Sequence, residues 1–422
     1  MERMISSHVR KWLGVPRCLS SVALYGQGLL QLPLSSLTEE FKCSKARLEM
    51  TLTESKDTVI RAAAPTLASG RKWTAKNAVQ QAKAALHHSD IVGQVQHGRG
   101  GLGLGEKRPC WGQAASRERR KMVVAEVRRQ EESSRCAKAV SQIKQGQWMR
   151  WESVEKRTIS WKDMWEMEAS RISFLIRSTY DVLPTPTNLN QWVGEDPSCP
   201  LCSTRATLRH ILVGCKVSLS QGRYTWRHNQ VLKCLAATLE SRRTTINALP
   251  PRATNSAQSI AFVREGKQRQ RKFPPKARLG ELEIARDWQM LADVGKQLIV
   301  PPEIVITNLR PDLVLWSNSQ RKVYFVELTV PWEDAVEEAF ERKKLRYSDL
   351  AAEAEQRGWR TKVCPAEVGC RGFVATSTVR LMKDLGINGQ VLRQAIKDLS
   401  RVAERCSQWL WLKRKDPSWS PK

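Results

Sequence analysis

The chain has 422 residues, 41% of them hydrophobic, which is enough for several domains with packed cores. A net charge of +28 and a pI near 10 make a polyanion the expected partner, DNA and possibly RNA first, with membrane surfaces or acidic proteins as the alternatives. No apolar run reaches the roughly 18 residues of a membrane span and no charged-then-apolar leader opens the chain. A nuclear or cytoplasmic protein without a membrane partner is therefore expected, and its eleven cysteines read as thiols or metal ligands rather than disulfides.

In chain order, residues 1–110 read as an interrupted helical region, with helical spacing over Ser36–Leu52 and Ala75–Leu86. The glycine-rich stretch Gly98–Gly105 has no strand before it and no Gly-Lys-Ser/Thr after it, so a linker is expected rather than a phosphate loop. Residues 111–190 read as a helical linker. A charged helix is predicted from Ser116 to about Gly146, and its cluster Arg117, Arg119, Arg120, Lys121, Arg128 and Arg129 is either a solvated face or a phosphate-tracking one. Ser160-Trp161-Lys162-Asp163 has the form of a capping box. The helix after it would turn Met164, Trp165, Ile172, Leu175 and Ile176 inward and stop at Pro184 and Pro186.

Residues 191–235 carry Cys199-x2-Cys202-x7-His210-x4-Cys215. Zinc takes four soft or borderline ligands in a tetrahedron, and Cys-Pro-Leu-Cys places two thiolates on one tight knuckle. Three thiolates and an imidazole leave no open position, so a structural zinc is expected. The alternative is buried thiols beside a surface histidine. The basic and aromatic run Gln221–His228 would either touch nucleic acid or pack Tyr224 and Trp226 on the knuckle. Residues 236–278 read as a basic flexible linker, densest over Arg264–Arg278, with Arg269, Arg271 and Lys272 as candidate phosphate contacts.

The segment 279–411 reads as α/β, followed by a tail over 412–422. A helix is predicted over Glu281–Leu298, with Ala285, Trp288, Ala292 and Gly295 on one stripe. Strands are predicted over Ile304–Thr307, Pro311–Trp316, Val323–Val330 and Lys362–Val368. A helix is expected over Asp334–Gln356, and two more close the chain. Ser317-Asn318-Ser319-Gln320 supplies a hairpin turn. A symmetric hairpin about residues 319 and 320 sets Asp312 opposite Glu327, with Cβ atoms roughly 5 Å apart. Two carboxylates on a partly buried face repel unless a cation intervenes, and magnesium or manganese suits such oxygen ligands, with the Leu328 carbonyl as a further one. On the next helix Lys343 falls within the apolar stripe of Val336, Phe340, Tyr347 and Leu350, whereas Lys344 turns away. A lysine there either snorkels or serves an anionic partner. Asp312, Glu327 and Lys343 together supply what phosphodiester hydrolysis uses: ligands for a divalent cation, and a positive charge for the developing anion. Glu281 is a candidate extra carboxylate.

These residues resemble the restriction-enzyme-like endonuclease of site-specific non-LTR retrotransposons, a branch of the PD-(D/E)xK nucleases in which a CCHC knuckle precedes the nuclease and a reverse transcriptase precedes both. Pro311-Asp312 and Glu327 match the PD and acidic motifs, and Cys199, Cys202, His210 and Cys215 match the knuckle. Thr329 stands where ordinary members carry lysine. In the retrotransposon branch that lysine moves to the next helix, in a Lys-x-x-Lys-Tyr-like motif, which Lys343-Lys344-Leu345-Arg346-Tyr347 resembles with Arg346 for the second lysine. The likeness runs from about 160 to 411, and residues 1–110 look more loosely like the thumb and connecting region behind a polymerase palm. No Tyr/Phe-x-Asp-Asp motif occurs, so reverse transcription is not expected. The resemblance implies an α+β multidomain chain: a helical N-terminal half, a small zinc knuckle and a C-terminal restriction-endonuclease-like domain that nicks target DNA with magnesium or manganese. The alternatives are a zinc-containing nucleic-acid-binding protein that does not cleave, and a decayed fragment of such an element.

Overall fold

The computed structural model describes residues 1–26, 28–63, 67, 72–98, 111–250 and 280–420. The glycine-rich stretch beyond Gly98, and Arg264–Arg278 with Arg269, Arg271 and Lys272, lie outside the described residues. Helix and sheet are mixed, and the chain divides into two compact units, Met1–Met149 with Lys156–Tyr180, and Arg150–Glu155 with Asp181–Lys422.

The first unit is mostly helical: α1 (Glu2–Trp12), α2 (Val22–Tyr25), α3 (Leu37–Thr53), α4 (Thr58–Ala63), α5 (Ala75–Gly98), α6 (Ser116–Val140), α7 (Trp161–Glu166) and α8 (Ala169–Thr179). Two short strands, β1 (Leu30–Gln31) and β2 (Arg157–Thr158), pair in parallel. Ser36 caps α3 by accepting from the Glu39 amide, which satisfies a donor the first helical turn leaves orphaned. Cys43, Ala46 and Met50 of α3, Ala78, Val79 and Ala82 of α5, and Val123 and Val127 of α6 form one core. Ser160 and Asp163 complete a reciprocal capping box at α7. The single helix expected after it is broken at Met167, whose extended backbone separates α7 from α8. Trp165, on α7, faces outward at 74% exposure, against the expected inward placement, while Met164, Ile172, Leu175 and Ile176 are buried.

The second unit holds α9 (Pro186–Val193), α10 (Lys216–Ser220), α11 (Arg223–Asn247), β3 (Trp288–Ala292), β4 (Leu313–Ser317), β5 (Lys322–Thr329), α12 (Val336–Arg346), α13 (Ser348–Gln356), β6 (Arg360–Glu367), α14 (Thr376–Asp384) and α15 (Gly389–Leu412). Pro186 opens α9 instead of ending a helix, because a missing N–H costs nothing in a first turn. The sheet order is β3-β4-β5-β6, antiparallel except for the parallel pair β5/β6, whose crossover is made by α12 and α13. Helices cover both faces. Val231, Leu235 and Leu239 of α11 pack with Leu399 and Ala403 of α15 on Leu313, Leu315, Tyr324 and Val326. Tyr347, Leu350 and Ala354 pack on Val314, Trp316, Val323 and Phe325. Burial on both sides explains why β4 and β5 read as near-continuous apolar runs.

Three sequence expectations change in this unit. The helix expected over Glu281–Leu298 is a 3₁₀ turn at Glu281–Ile284 followed by the edge strand β3. Asn247 brackets the Trp288 backbone, accepting its N–H at 3.2 Å and donating to its carbonyl at 2.8 Å, so tertiary pairing overrides the helical stripe. Ile304–Thr307 pairs with no described strand; Ile304 and Val305 instead plug the core under α13. The helix expected over Asp334–Gln356 starts with a 3₁₀ turn at Glu333–Ala335 and breaks at Tyr347. In addition, α11 continues to Asn247, so residues 236–247 are helix rather than linker.

Glu367, at the end of β6, is fully buried, and burial pushes its carboxyl up to about 7 despite a hydrogen bond from Ser377. A carboxyl whose pKa rises on folding weakens the fold once it must ionise. The penalty is absent below the unfolded value near 4.5 and grows until pH passes about 7. Glu367→Gln is therefore expected to gain about 1–3 kcal/mol above neutrality and to flatten the loss of stability between about pH 5 and 7. Denaturant melts of both proteins across that range check this, and parallel pH profiles would refute it.

Candidate functional site

The β4/β5 ladder pairs Leu313 with Val326 and Ser317 with Lys322, a register whose next step sets Asp312 opposite Glu327. Each carboxylate accepts a hydrogen bond from a backbone amide of the facing segment. The Asp312 amide donates to Glu327 Oε2 at 3.2 Å, and the Leu328 amide donates to Asp312 Oδ2 at 2.7 Å. Asp312 stands one residue ahead of β4, where the sheet ends, and Glu327 lies within β5 on the face that carries α12. Lys343, on α12, reaches the same point and pairs with Glu327 Oε1, its side chain only 15% exposed. Lys344 is exposed and lies over the Phe340 ring. The expected separation of the two lysines is thus seen in the geometry: one faces the carboxylates and the other faces outward.

Burial pushes the Glu327 carboxyl above its ordinary range, the Asp312 charge adds to that, and Lys343 works against both. Two carboxylates and the Leu328 carbonyl oxygen thus lie together here, oxygen donors of the kind divalent cations take.

Two more residues border this centre: His228, which the sequence did not connect to it, and Tyr347, the last residue of the Lys343–Tyr347 motif. His228 Nε2 lies 3.2 Å from Asp312 Oδ2 and 3.2 Å from the Leu328 carbonyl oxygen. Burial alone would lower the imidazole pKa, but the hydrogen bond with Asp312 raises it. The Tyr347 hydroxyl donates to the Arg310 carbonyl at 2.8 Å and also faces Glu327, so it ties the Arg310-Pro311-Asp312 approach to the end of α12. Glu281 is not part of the centre. It pairs with Lys322 and Lys362 and accepts from Tyr324, which holds its carboxyl down at about 2. Lys322 begins β5, five residues and roughly 16 Å of strand from Glu327.

The Cys199, Cys202, His210 and Cys215 ligand atoms all lie within 4.8 Å of one another. Cys199 and Cys215 sulfurs are 4.0 Å apart, and Cys202 Sγ is 3.2 Å from His210 Nε2. Zinc–sulfur bonds of about 2.3 Å in a tetrahedron separate sulfurs by about 3.8 Å, so the cluster can hold one metal ion and its donors are those of zinc. The backbone supports this arrangement. The Cys199 amide donates to the Thr204 carbonyl at 2.7 Å, and a π-type turn over His210–Gly214 delivers Cys215 to the start of α10.

The run Gln221–His228 turns inward. The Cys215 amide donates to the Tyr224 hydroxyl at 3.0 Å. Arg223 donates to the Lys413 and Asp416 carbonyls, and Trp226 packs edge-on against Trp419. Arg227 is buried and its guanidinium spans three places, donating to the Leu212 carbonyl at 3.0 Å, to Ser407 Oγ at 3.0 Å and to the Val330 carbonyl at 3.4 Å. One turn of α11 thus holds the cluster through Tyr224, the end of β5 through Arg227, and Asp312 through His228. Among the described residues no helix is long and apolar enough to cross a membrane. No family model matches the chain, and no curated protein shows significant similarity to it.

Proposed function

We propose that the chain is a nucleic-acid-binding, divalent-metal-dependent DNA endonuclease of the restriction-enzyme-like type found in non-LTR retrotransposons, without reverse transcriptase activity. The observation that carries this reading is the convergence of Asp312, Glu327 and Lys343 at one sheet end, where the register opposes the acids and the lysine pairs with one of them. Magnesium or manganese held by Asp312, Glu327 and the Leu328 carbonyl would polarise a bound phosphodiester and favour ionised water. Lys343 supplies a fixed positive charge for the anion that develops on phosphorus. His228 orients Asp312, and Tyr347 anchors the backbone that presents it. The zinc cluster is assigned a structural role, and the net charge of +28 favours a polyanion such as DNA.

A second reading has one observation in its favour. His228 and Lys343 already supply partners to the two acids, a self-satisfied arrangement that a binding protein without cleavage could keep. Supercoiled-plasmid nicking with magnesium or manganese separates the two. Lys343→Ala is expected to lower the nicking rate by roughly 10²–10³-fold, the size of losing one preorganised electrostatic partner, while Lys344→Ala changes it by less than about threefold. Nicking that responds equally to both substitutions, or is absent from the wild type, would favour the binding protein.

A further inference from the structure

We propose that the first unit carries its own nucleic-acid site, a cationic groove between α3 and α6 that tracks a phosphodiester backbone. The groove has a volume of about 560 Å³ and is lined by Arg47, Arg117, Arg120, Lys121 and Arg128, with Thr51, Val124 and Ala125 making up the rest of its wall. No carboxylate lines it. This placement favours the phosphate-tracking reading of the α6 charge cluster. On that helix Arg117, Arg120 and Lys121, Val124 and Arg128 recur every three or four residues, one stripe about 16 Å long. Arg119 and Arg129 fall off the stripe, toward Trp111 and Glu126 respectively.

The cations fall into two classes. Arg120 and Arg128 are held by ion pairs, Arg120 with Glu54 at 3.1 Å and Arg128 with Glu40 at 2.8 Å. Arg47 and Arg117 are exposed and make no ion pair among the described residues, and Lys121 has only an exposed partner, Glu118. With Arg47 and Arg117 outside any ion pair among the described residues and no carboxylate on the wall, the cleft stays positive, an arrangement favoured when a polyanion fills it. A stripe of about 16 Å matches several successive phosphates, since a strand of duplex DNA advances about 3.4 Å per nucleotide. The walls offer methyl groups and one hydroxyl but no set of base-reading amides, so the site is expected to hold backbone without reading sequence. The proposal shares with the proposed function only the premise that the partner is nucleic acid.

The test uses the full chain with EDTA present, and measures binding to a short duplex of arbitrary sequence by fluorescence anisotropy from 50 to 200 mM salt. Arg47→Gln, Arg117→Gln and Lys121→Gln together are expected to weaken binding at least tenfold at the lowest salt. They should also flatten the slope of log affinity against log salt by about 2–3, near 0.9 for each phosphate no longer neutralised. A charge-matched control, Lys56→Gln, Arg61→Gln and Lys138→Gln, removes exposed cations of the same unit outside the groove and is expected to change the slope by less than about 1. Equal effects of the two triple variants would overturn the groove and leave the endonuclease reading standing. A wild type that does not bind DNA at low salt would overturn both. A groove variant that binds DNA normally but loses affinity for polyglutamate would reassign the groove to an acidic protein.

Discussion

Asp312→Ala and Glu327→Ala are each expected to reduce plasmid nicking by at least roughly 10²–10³-fold, because each removes a charged group from the reacting centre. Duplex binding in EDTA should stay the same or strengthen slightly, since both acids repel phosphate when no cation lies between them. The separation matters, because a general loss of folding would take binding and cleavage down together. Glu327→Ala has a structural side effect: it leaves Lys343, only 15% exposed, without its carboxylate. Glu327→Gln, which keeps the shape and an acceptor for the Asp312 amide, should lose cleavage with a smaller loss of stability. Nicking that survives either alanine substitution would place the reaction elsewhere.

Loss of the cluster metal should have the next largest effect. Cys202→Ser, or chelation under reducing conditions, is expected to release one zinc per chain and to expose the amides of 195–230 to hydrogen exchange, because such metal binding supplies roughly 10 kcal/mol or more to a small site. The disturbance should travel beyond the knuckle. Tyr224, Arg227 and His228 sit on one turn of α11, and they bond to the Cys215 amide, the Leu212 and Val330 carbonyls and Asp312. Cleavage should therefore fall in the zinc-free protein even though no ligand of the cluster belongs to the acidic centre. Arg227→Ala should reproduce part of that fall with zinc still bound, which metal analysis of the same sample would show. Full activity after complete zinc removal would separate the cluster from the centre.

How much could be read from the sequence follows from the range of each interaction. The β4/β5 hairpin was legible because one turn fixes a register, and with it the opposition of Asp312 and Glu327. Lys343 was legible because a helical wheel separates it from Lys344 without any knowledge of the tertiary structure. The cluster was legible because its ligands lie within 17 residues. His228 was not, since it meets Asp312 across 84 residues of sequence and no local pattern links them. The strand β3 was misread for a related reason: five residues with helical spacing take their conformation from Asn247 and from β4, both distant in the chain. The inward turn of Arg223 and Arg227 was hidden too, because basic residues are seldom buried and here the carbonyls of Leu212, Val330, Lys413 and Asp416 make it possible.

The measurement that bears most directly on the central claim is anomalous diffraction from crystals of the full chain equilibrated with manganese. The endonuclease reading predicts a manganese peak about 2.0–2.3 Å from carboxylate oxygens of Asp312 and Glu327, separate from a zinc peak at Cys199, Cys202, His210 and Cys215 and absent in Glu327→Ala. Manganese missing from that position in wild-type crystals, with His228 and Lys343 still closed on the two acids, would contradict it.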